Sequence, residues 1–268
     1  MYSSMIQTLT VAASLAAYSV DATAIRRSVN KLTQGTTWTL EAWGYEDTSN
    51  GYMIDIDLQT KSKDYVKSLV DGGQYVVCYF SAGTAEDWRP DYLDMMEYAS
   101  KDSRYPGEYW MDITQWKSFK HLIKARMEEA VKKGCHGIEP DNTDAYEYGS
   151  DAVPGETKDS LKPYQIEYMR WMANTAHELG LEIAQKNTVD LIPDLIDVMD
   201  YAINESCAKF SKNAYCSNYE AFVKQDKAVF GVEYNTNGDC SDAQAEGIMR
   251  KYKHSNGKQW VDCKISTN

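Results

Sequence analysis

The sequence has little positive charge. Its 268 residues include 28 lysines and arginines against 40 aspartates and glutamates, which gives a formal net charge of −12 and a pI near 4.8. Nucleic acids and anionic membrane surfaces attract proteins that carry an excess of Lys and Arg. The composition therefore argues against both as partners of this protein.

Long apolar runs are also missing, since no segment approaches the ~18 apolar residues of a membrane-spanning helix. An apolar run from Leu9 to Val20 precedes small residues and an Ala-Thr-Ala site that ends at Ala24. This pattern predicts a secretory signal peptide over residues 1–24, although it lacks the usual positive charge near its start. We expect a polar leader over 25–35, a single domain over 36–268, and a secreted monomer.

Histidine and closely spaced cysteine motifs are scarce. The four histidines are scattered and no CxxC pattern occurs, so neither a zinc site nor a histidine-based catalytic triad is predicted, and no metal or cofactor is expected. The six cysteines suit an oxidising compartment. We expect Cys207 to pair with Cys216 across a short loop, and Cys240 with Cys263 around a C-terminal helix. The other two, Cys78 and Cys135, either pair or remain buried thiols.

Glycine-rich phosphate loops are absent, because neither GxGxxG nor GxxxxGK[ST] occurs. Instead, short apolar runs alternate with segments of helical periodicity, including 116–134, which ends at Gly134, and 163–180, which begins at Pro163. This alternation predicts an α/β fold of parallel strands, as a single (β/α)8 TIM barrel, with a doubly wound open sheet as the alternative. The predicted strands cover residues 36–43, 51–58, 74–83, 136–142, 181–187, 200–207, 227–234 and 258–265.

Phenylalanine is rare beside the other aromatics, with 5 Phe against 20 Tyr and 7 Trp. Aromatic side chains that carry a polar edge are favoured where a wet surface must stack on a ligand, such as a sugar-binding groove. A surface that is merely rich in tyrosine would have the same composition. Both interpretations stay open at this point.

Polar residues recur where the predicted strands end, and in a barrel these ends form the rim on which active sites are built. Several carboxylates at one rim suit glycoside hydrolysis, in which one carboxyl protonates the leaving oxygen and another stabilises or attacks the sugar carbon. A divalent metal site is the alternative use of such carboxylates. The residues concerned are Asp55, Asp57, Ser81, Glu139, Asp141, Asn142, Lys186, Asn187, Asn204, Glu205 and Glu233.

Five stretches of the sequence resemble glycoside hydrolase family 114, the endo-α-1,4-polygalactosaminidases. The family motifs have the form CYFSAGSxEDWRPD, GxxGVEPDNxDxY and NExC, and the resemblance extends from about Trp38 to the last strand. The matching stretches are CYFSAGTAEDWRPD (78–91), EYWMDIT (108–114), GCHGIEPDNTDAY (134–146), INESC (203–207) and KAVFGVEY (227–234).

The resemblance implies a (β/α)8 barrel that cleaves inside runs of α-1,4-linked galactosamine in galactosaminogalactan-type polysaccharides. Deacetylated galactosamine is cationic near neutral pH, so an acidic rim would attract it. Carried over by motif, Glu205 is the acid/base and Asp141 the nucleophile or charge stabiliser, and the reverse assignment of the two roles stays open. A barrel that binds cationic glycans without cutting them, and a metal-dependent enzyme, are the alternatives.

Further residues are expected to bind substrate or to tune the carboxylates. Glu139 or Lys186 could set the ionisation of a catalytic carboxylate, whereas Asp87 and Arg89 are expected to lock the loop after the third strand. The full set of predicted substrate-binding residues is Trp38, Asp55, Asp57, Tyr79, Glu139, Asn142, Lys186, Asn187, Glu233 and Tyr234.

Overall fold

The computed structural model describes residues 31–41, 50–207, 216–234, 247–253 and 260–263. The predicted signal peptide and residues 25–30 of the predicted leader lie outside them. Among the described helices, none has the length and apolar character needed to cross a membrane. The strands are β1 (Trp38–Glu41), β2 (Met53–Asp57), β3 (Tyr75–Ser81), β4 (Thr84–Glu86), β5 (Ala99–Asp102), β6 (Glu108–Met111), β7 (Gly137–Asp141), β8 (Glu182–Lys186), β9 (Tyr201–Glu205), β10 (Val229–Glu233), β11 (Met249–Lys253) and β12 (Trp260–Asp262).

Helices connect most of the strands of the central sheet. The α-helices are α1 (Lys63–Asp71), α2 (Tyr92–Met96), α3 (Trp116–Lys133), α4 (Ala145–Tyr148), α5 (Lys158–Glu178), α6 (Ile192–Leu195) and α7 (Glu220–Val223). Short 3-10 turns cover Ile113–Gln115, Gly149–Asp151, Val189–Leu191 and Cys216–Tyr219.

The central sheet has the strand order β1-β2-β3-β7-β8-β9-β10-β11-β12. The first eight of these strands pair in parallel, and β12 pairs antiparallel with β11. The two ends of the sheet come together, because the Trp38 ring of β1 lies 5.2 Å from the Phe230 ring and 5.4 Å from Lys251 Nζ. The sheet is therefore a nearly closed barrel, and the predicted (β/α)8 architecture is confirmed.

Two buried layers stabilise the barrel. One fills its interior and includes Trp38, Val77 and Phe230. The other lies between the strands and the outer helices and includes Phe119 of α3 and Met172 of α5. Because side chains along a strand alternate between the two faces, residues two positions apart share the interior, and this alternation brings polar side chains inward at the carboxyl ends of the strands.

The helix boundaries follow from their caps. Helix α3 ends as predicted at Gly134, whose φ of 98° is the left-handed conformation that glycine adopts without a steric penalty. Helix α5 begins earlier than the predicted start at Pro163, because Thr157 and Ser160 form a reciprocal capping box. Pro163 therefore lies inside the helix rather than at its first turn.

The last part of the barrel differs from the prediction. Residues 249–253, expected within a helix between Cys240 and Cys263, form β11, the eighth parallel strand. The predicted eighth strand at 258–265 corresponds to β12, which runs antiparallel. Strand β11 has no apolar signature because its buried residues include Arg250 and Lys251, and Lys251 forms an ion pair with Asp262.

A second sheet, not predicted from the sequence, follows β3. Strands β4, β6 and β5 form a three-stranded antiparallel sheet in the order β4-β6-β5. Strand β4 has only three residues, and the pairing of β5 is irregular between Ala99 and Lys101. We call this unit, residues 84–111, the inserted sheet.

Two disulfides are present among the described residues. The predicted Cys207–Cys216 pair is confirmed, and Cys78 pairs with Cys135, which decides between the two possibilities left open for these residues. Cys240 lies outside the described residues, so its pairing with Cys263 stays a prediction.

Candidate active site

A buried lysine organises the carboxyl ends of three neighbouring strands. Lys186, the last residue of β8, is 1 % exposed. Its Nζ lies 2.7 Å from Glu139 Oε1, 3.3 Å from Asp141 Oδ1 and 3.0 Å from Glu205 Oε1. The ammonium group therefore bridges β7 and β9, and it brings the two predicted catalytic residues, Asp141 and Glu205, together.

The pKa of Lys186 reflects a balance of opposite effects. Burial alone lowers the pKa of an ammonium group, but the charges of Asp141, Glu139 and Glu205 outweigh this effect, and the pKa of Lys186 is raised well above its ordinary value. Lys186 is therefore a permanent cation. Tyr79 donates a hydrogen bond of 3.1 Å from its hydroxyl to Asp141 Oδ2, so both oxygens of Asp141 have partners.

Beneath this lysine lie two carboxyl groups that are sealed from solvent. Asp55 and Glu139 are each 0 % exposed. Burial, followed by the charge of Glu139, raises the pKa of Asp55 well above its ordinary value. Within the described chain, no N–H or hydroxyl group donates a hydrogen bond to either oxygen of Asp55 or to Oε2 of Glu139. We infer that Asp55 is protonated and that its O–H donates a hydrogen bond to Glu139.

The backbone at the strand exits adopts unusual conformations. Asn142, Asn187 and Ser206, which follow β7, β8 and β9, have φ values of 58°, 50° and 64°. Non-glycine residues adopt this region rarely, and Asn more readily than most. The Oδ1 of Asn187 accepts a 2.9 Å hydrogen bond from the backbone N–H of Glu205. The turn after β8 thus fixes the backbone from which Glu205 projects.

These strand ends form the floor of an open cleft of about 670 Å³. Six carboxylates face it against two guanidinium groups, so its electrostatic character is acidic. The lining residues are Asp57, Tyr79, Glu86, Trp88, Arg89, Arg104, Tyr105, Glu108, Asp141, Asn142, Asp144, Asn187, Glu205 and Tyr234. This list includes the two predicted catalytic residues and five of the predicted substrate-binding residues: Asp57, Tyr79, Asn142, Asn187 and Tyr234.

Arg89 neutralises one side of the cleft. Its Nε lies 2.8 Å from Glu86 Oε2, and its Nη1 lies 2.8 Å from Asp57 Oδ2. The Arg89 side chain is only 4 % exposed, so both ion pairs are well shielded from water. Asp57 therefore lines the cleft, but Arg89 already compensates its charge. This makes Asp57 a weaker partner for a substrate amine than we expected from the sequence.

Five of the predicted substrate-binding residues do not line the cleft. Trp38 is 2 % exposed and packs inside the barrel against Phe230, because it lies at the beginning of its strand rather than at its end. Glu233 is buried beside the Cys207–Cys216 disulfide. The other three, Asp55, Glu139 and Lys186, form the buried network under the cleft floor.

Several cleft residues were not identified from the sequence. The inserted sheet and its loops provide Trp88, Arg104, Tyr105 and Glu108, and the loop after β7 provides Asp144. The two stretches that resemble the family, 78–91 and 108–114, overlap the two ends of the inserted sheet and could have indicated these residues. Trp88 and Tyr105 are about half exposed, and the Arg104 guanidinium covers one face of the Tyr105 ring at 5.1 Å from its centroid.

Two of these residues have strongly shifted pKa values. Burial, followed by the charges of Asp141 and Glu147, raises the pKa of Asp144 to about 7. Burial, followed by the charge of Glu86, raises the pKa of Glu108 to about 7. Carboxyl groups with such values change their charge near neutral pH, which is typical of functional sites.

The chain matches the family model of glycoside-hydrolase family GH114 over residues 19–266. It is similar to the crystal structure of Aspergillus fumigatus Ega3 in complex with galactosamine, with a TM-score of 0.75, 28% identity, and coverage of 88% of this chain and 100% of that chain. A protein of Thermotoga maritima is 29% identical over 94 residues, and this match spans 32% of this chain and 28% of that protein.

The glycoside hydrolase domain of PelA from Pseudomonas aeruginosa shares the fold, with a TM-score of 0.63, 15% identity, and coverage of 82% of this chain and 94% of that chain. The family model covers the whole described barrel, including the strands that carry Asp141, Lys186 and Glu205. The protein is thus a glycoside hydrolase, and it belongs to glycoside-hydrolase family GH114.

Proposed function

We propose that this protein is a secreted endo-glycosidase that hydrolyses α-1,4-linked galactosamine runs in galactosaminogalactan-type polysaccharides. The observation that carries the proposal is the pair Asp141 and Glu205, held by one buried ammonium at the floor of an acidic cleft. An open cleft admits the middle of a chain, which suits endo-acting cleavage. The complex of the similar Aspergillus fumigatus protein with galactosamine supports this choice of sugar.

In the proposed mechanism, Glu205 donates a proton to the glycosidic oxygen while Asp141 attacks the anomeric carbon. The bond between that carbon and the leaving oxygen breaks, and a covalent glycosyl–Asp141 ester forms. Glu205, now ionised, removes a proton from a water molecule that attacks the same carbon and releases Asp141.

The geometry supports retention of the anomeric configuration. The Asp141 and Glu205 oxygens that bind Lys186 lie 3.3 and 3.0 Å from the same nitrogen, so they are no further apart than the sum of these distances. Such a close approach suits retaining enzymes, whose two carboxyl groups lie ~5–5.5 Å apart, better than inverting enzymes, whose separation of ~6.5–9.5 Å leaves room for a water molecule.

Secretion is part of the proposal and is supported by the disulfide content. Both described disulfides are buried, and structural disulfides persist in oxidising compartments such as the extracellular space.

The test is to incubate the purified protein with partly deacetylated galactosaminogalactan and to analyse the products by mass spectrometry. We expect galactosamine oligosaccharides from the wild type, and none from Glu205→Gln or Asp141→Asn, both of which should remain folded by circular dichroism. Full activity in either variant would refute its catalytic assignment. Absence of galactosamine oligosaccharides with the wild type would refute the substrate.

A further inference from the structure

The six carboxylates of the cleft differ in whether a cation already accompanies them. Asp57 and Glu86 share Arg89, and Asp141 and Glu205 share Lys186. Glu108 and Asp144 form no ion pair with any residue of the described chain. A cationic ligand would therefore gain most from these two groups, because their charges are offset only in part, by the nearby guanidinium of Arg104.

Of these two, Glu108 has the better defined position. It is the first residue of β6, and its Oε2 accepts a 3.2 Å hydrogen bond from the Thr84 hydroxyl. The same hydroxyl oxygen accepts a 3.1 Å hydrogen bond from Asn142 Nδ2. Asn142 directly follows Asp141, so this short chain of hydrogen bonds places the Glu108 carboxylate at a fixed position beside the catalytic pair.

Exposed aromatic side chains accompany Glu108 on the same wall of the cleft. Trp88 is 53% exposed and Tyr105 is 50% exposed, and the backbone N–H of Glu108 donates a 3.2 Å hydrogen bond to the Tyr105 carbonyl. Aromatic faces pack against the apolar face of a sugar ring, whereas a carboxylate binds an ammonium group. Together they match an amino sugar rather than a neutral one.

We propose that Glu108 is the specificity-determining residue that binds the ammonium group of a galactosamine unit adjacent to the cleaved bond. Trp88 and Tyr105 pack against the ring of that unit. This inference rests on the proposed function and adds the residue that distinguishes deacetylated from acetylated sugar. An N-acetyl group carries no charge, so it gains no ion pair from Glu108.

Binding of the ammonium should be linked to release of a proton. Glu108 faces the carboxylates of Glu86 and Asp141 and the guanidinium of Arg104, and with burial they leave its pKa at about 7. A bound ammonium stabilises the ionised carboxylate and lowers this pKa, so a protonated Glu108 loses its proton on binding. Affinity should therefore rise as pH increases through about 7, and fall again when the sugar amine loses its own charge.

The test measures binding without cleavage, in the Glu205→Gln background. Isothermal titration calorimetry compares two α-1,4-linked tetrasaccharides, one of galactosamine and one of N-acetylgalactosamine. Adding Glu108→Gln should weaken galactosamine binding about tenfold to a hundredfold, the range for a hydrogen bond to a charged group, and leave N-acetylgalactosamine binding within about twofold. Titrations near neutral pH in buffers of different ionisation enthalpy should show proton release that Glu108→Gln removes.

Glu167→Gln in the same background is the matched control, because it removes an equal charge on the outer surface of α5. It should change neither affinity. Unchanged galactosamine binding in Glu108→Gln, or an equal loss for both tetrasaccharides, would overturn the inference, as would absence of galactosamine binding in the parent. If the parent distinguishes the two sugars through Glu108 but the wild type cleaves neither, the proposed activity fails, whereas recognition of the ammonium group by Glu108 is upheld.

Discussion

The buried ammonium group of Lys186 forms ion pairs with three carboxylates, which come from the strands on either side of β8. Removing ions from water is costly, and their attraction offsets that cost only when the geometry and the remaining hydrogen bonds are good. Here the nitrogen lies within 3.3 Å of three different carboxylate oxygens. The cluster therefore depends on Lys186 more than on any one of its partners.

Replacement of Lys186 by Met should leave Glu139 buried without a cation. We expect the free energy of unfolding to fall by about 3–5 kcal/mol, the cost of breaking a buried pair by removing one partner, and hydrolytic activity to be lost. Urea denaturation measures the first effect. Lys117→Met, which removes an exposed ion pair with Glu167, is the control and should change stability by less than about 1 kcal/mol. Equal stability of the two variants would contradict this view of the cluster.

Asp55→Asn tests whether Asp55 is protonated in the folded protein. An amide can donate a hydrogen bond to Glu139 as the protonated acid does, so the variant should be at least as stable as the wild type near neutral pH. The sign follows from the raised pKa of Asp55. The contribution of the Asp55 carboxyl to stability is complete below its unfolded pKa of ~3.9 and is lost as pH rises toward the folded value.

The stability advantage of the Asp55→Asn variant should accordingly be small near the unfolded pKa of ~3.9 and grow with increasing pH, as measured by urea denaturation at several pH values. Asp55→Ala is the comparison, because it leaves Glu139 without a donor and should cost about 1–3 kcal/mol. If Asp55→Asn and Asp55→Ala were equally destabilised near neutral pH, Asp55 would be ionised and the inferred proton would be wrong.

At the scale of the element, the strands that carry the buried network could be predicted because their sequences are simple. Strands β7 and β8 follow helices that end at glycine, and each strand ends in a polar residue at the rim. Strand β11 was not predicted because Arg250 and Lys251 are buried in it, which removes the apolar signal. The alternation of side chains along a strand does not show how far a residue lies from the rim of the barrel. Trp38 was therefore expected to bind substrate, although it packs inside the barrel.

The inserted sheet shows a second limit of prediction. Its strands are three or four residues long, too short for alternation to be recognised, and β5 has no buried residue. Yet this element provides Glu108 and the loops that carry Trp88 and Tyr105. The carboxylates at the ends of the longer strands could therefore be identified from the sequence. The residues that form the wall of the cleft could not, because their positions depend on packing that no local sequence pattern encodes.

The Cys207–Cys216 disulfide acts on the turn that follows β9. Cys207 is fully buried and lies shortly after Glu205, and the intervening Ser206 has a φ of 64°. We expect the double variant Cys207→Ala/Cys216→Ala to lose about 2–3 kcal/mol of unfolding free energy, as the short separation of 9 residues implies. Activity should fall as well, because the turn no longer fixes Glu205.

Thermal or urea denaturation and the oligosaccharide-release assay measure the two effects separately. Trp88→Ala serves as a comparison, since Trp88 is exposed and its loss should affect substrate binding without a comparable loss of stability. If the double cysteine variant kept full activity, the disulfide would contribute to stability alone and would have no role in positioning Glu205.

At the scale of the whole molecule, the charge of −12 and the acidic cleft act on the substrate before contact. A negative potential raises the local concentration of a polycation and its association rate. Dissolved salt screens this attraction, since the Debye length falls from ~10 Å at about 0.1 M to ~3 Å at about 1 M. By contrast, the buried contacts of Lys186 with Asp141 and Glu205 lie within 3.3 Å, where screening is weak.

Raising sodium chloride from about 0.05 M to about 0.5 M should therefore raise KM for deacetylated polymer roughly three- to tenfold, because screening removes long-range attraction. The value of kcat should change by less than about twofold, since the catalytic contacts are short and shielded. Initial rates over a range of polymer concentrations give both constants, and a less deacetylated polymer, which keeps galactosamine runs but carries less charge, is the control, with a smaller change in KM expected. A KM that is independent of salt for the deacetylated polymer would mean that the charge of the molecule serves solubility and not substrate capture.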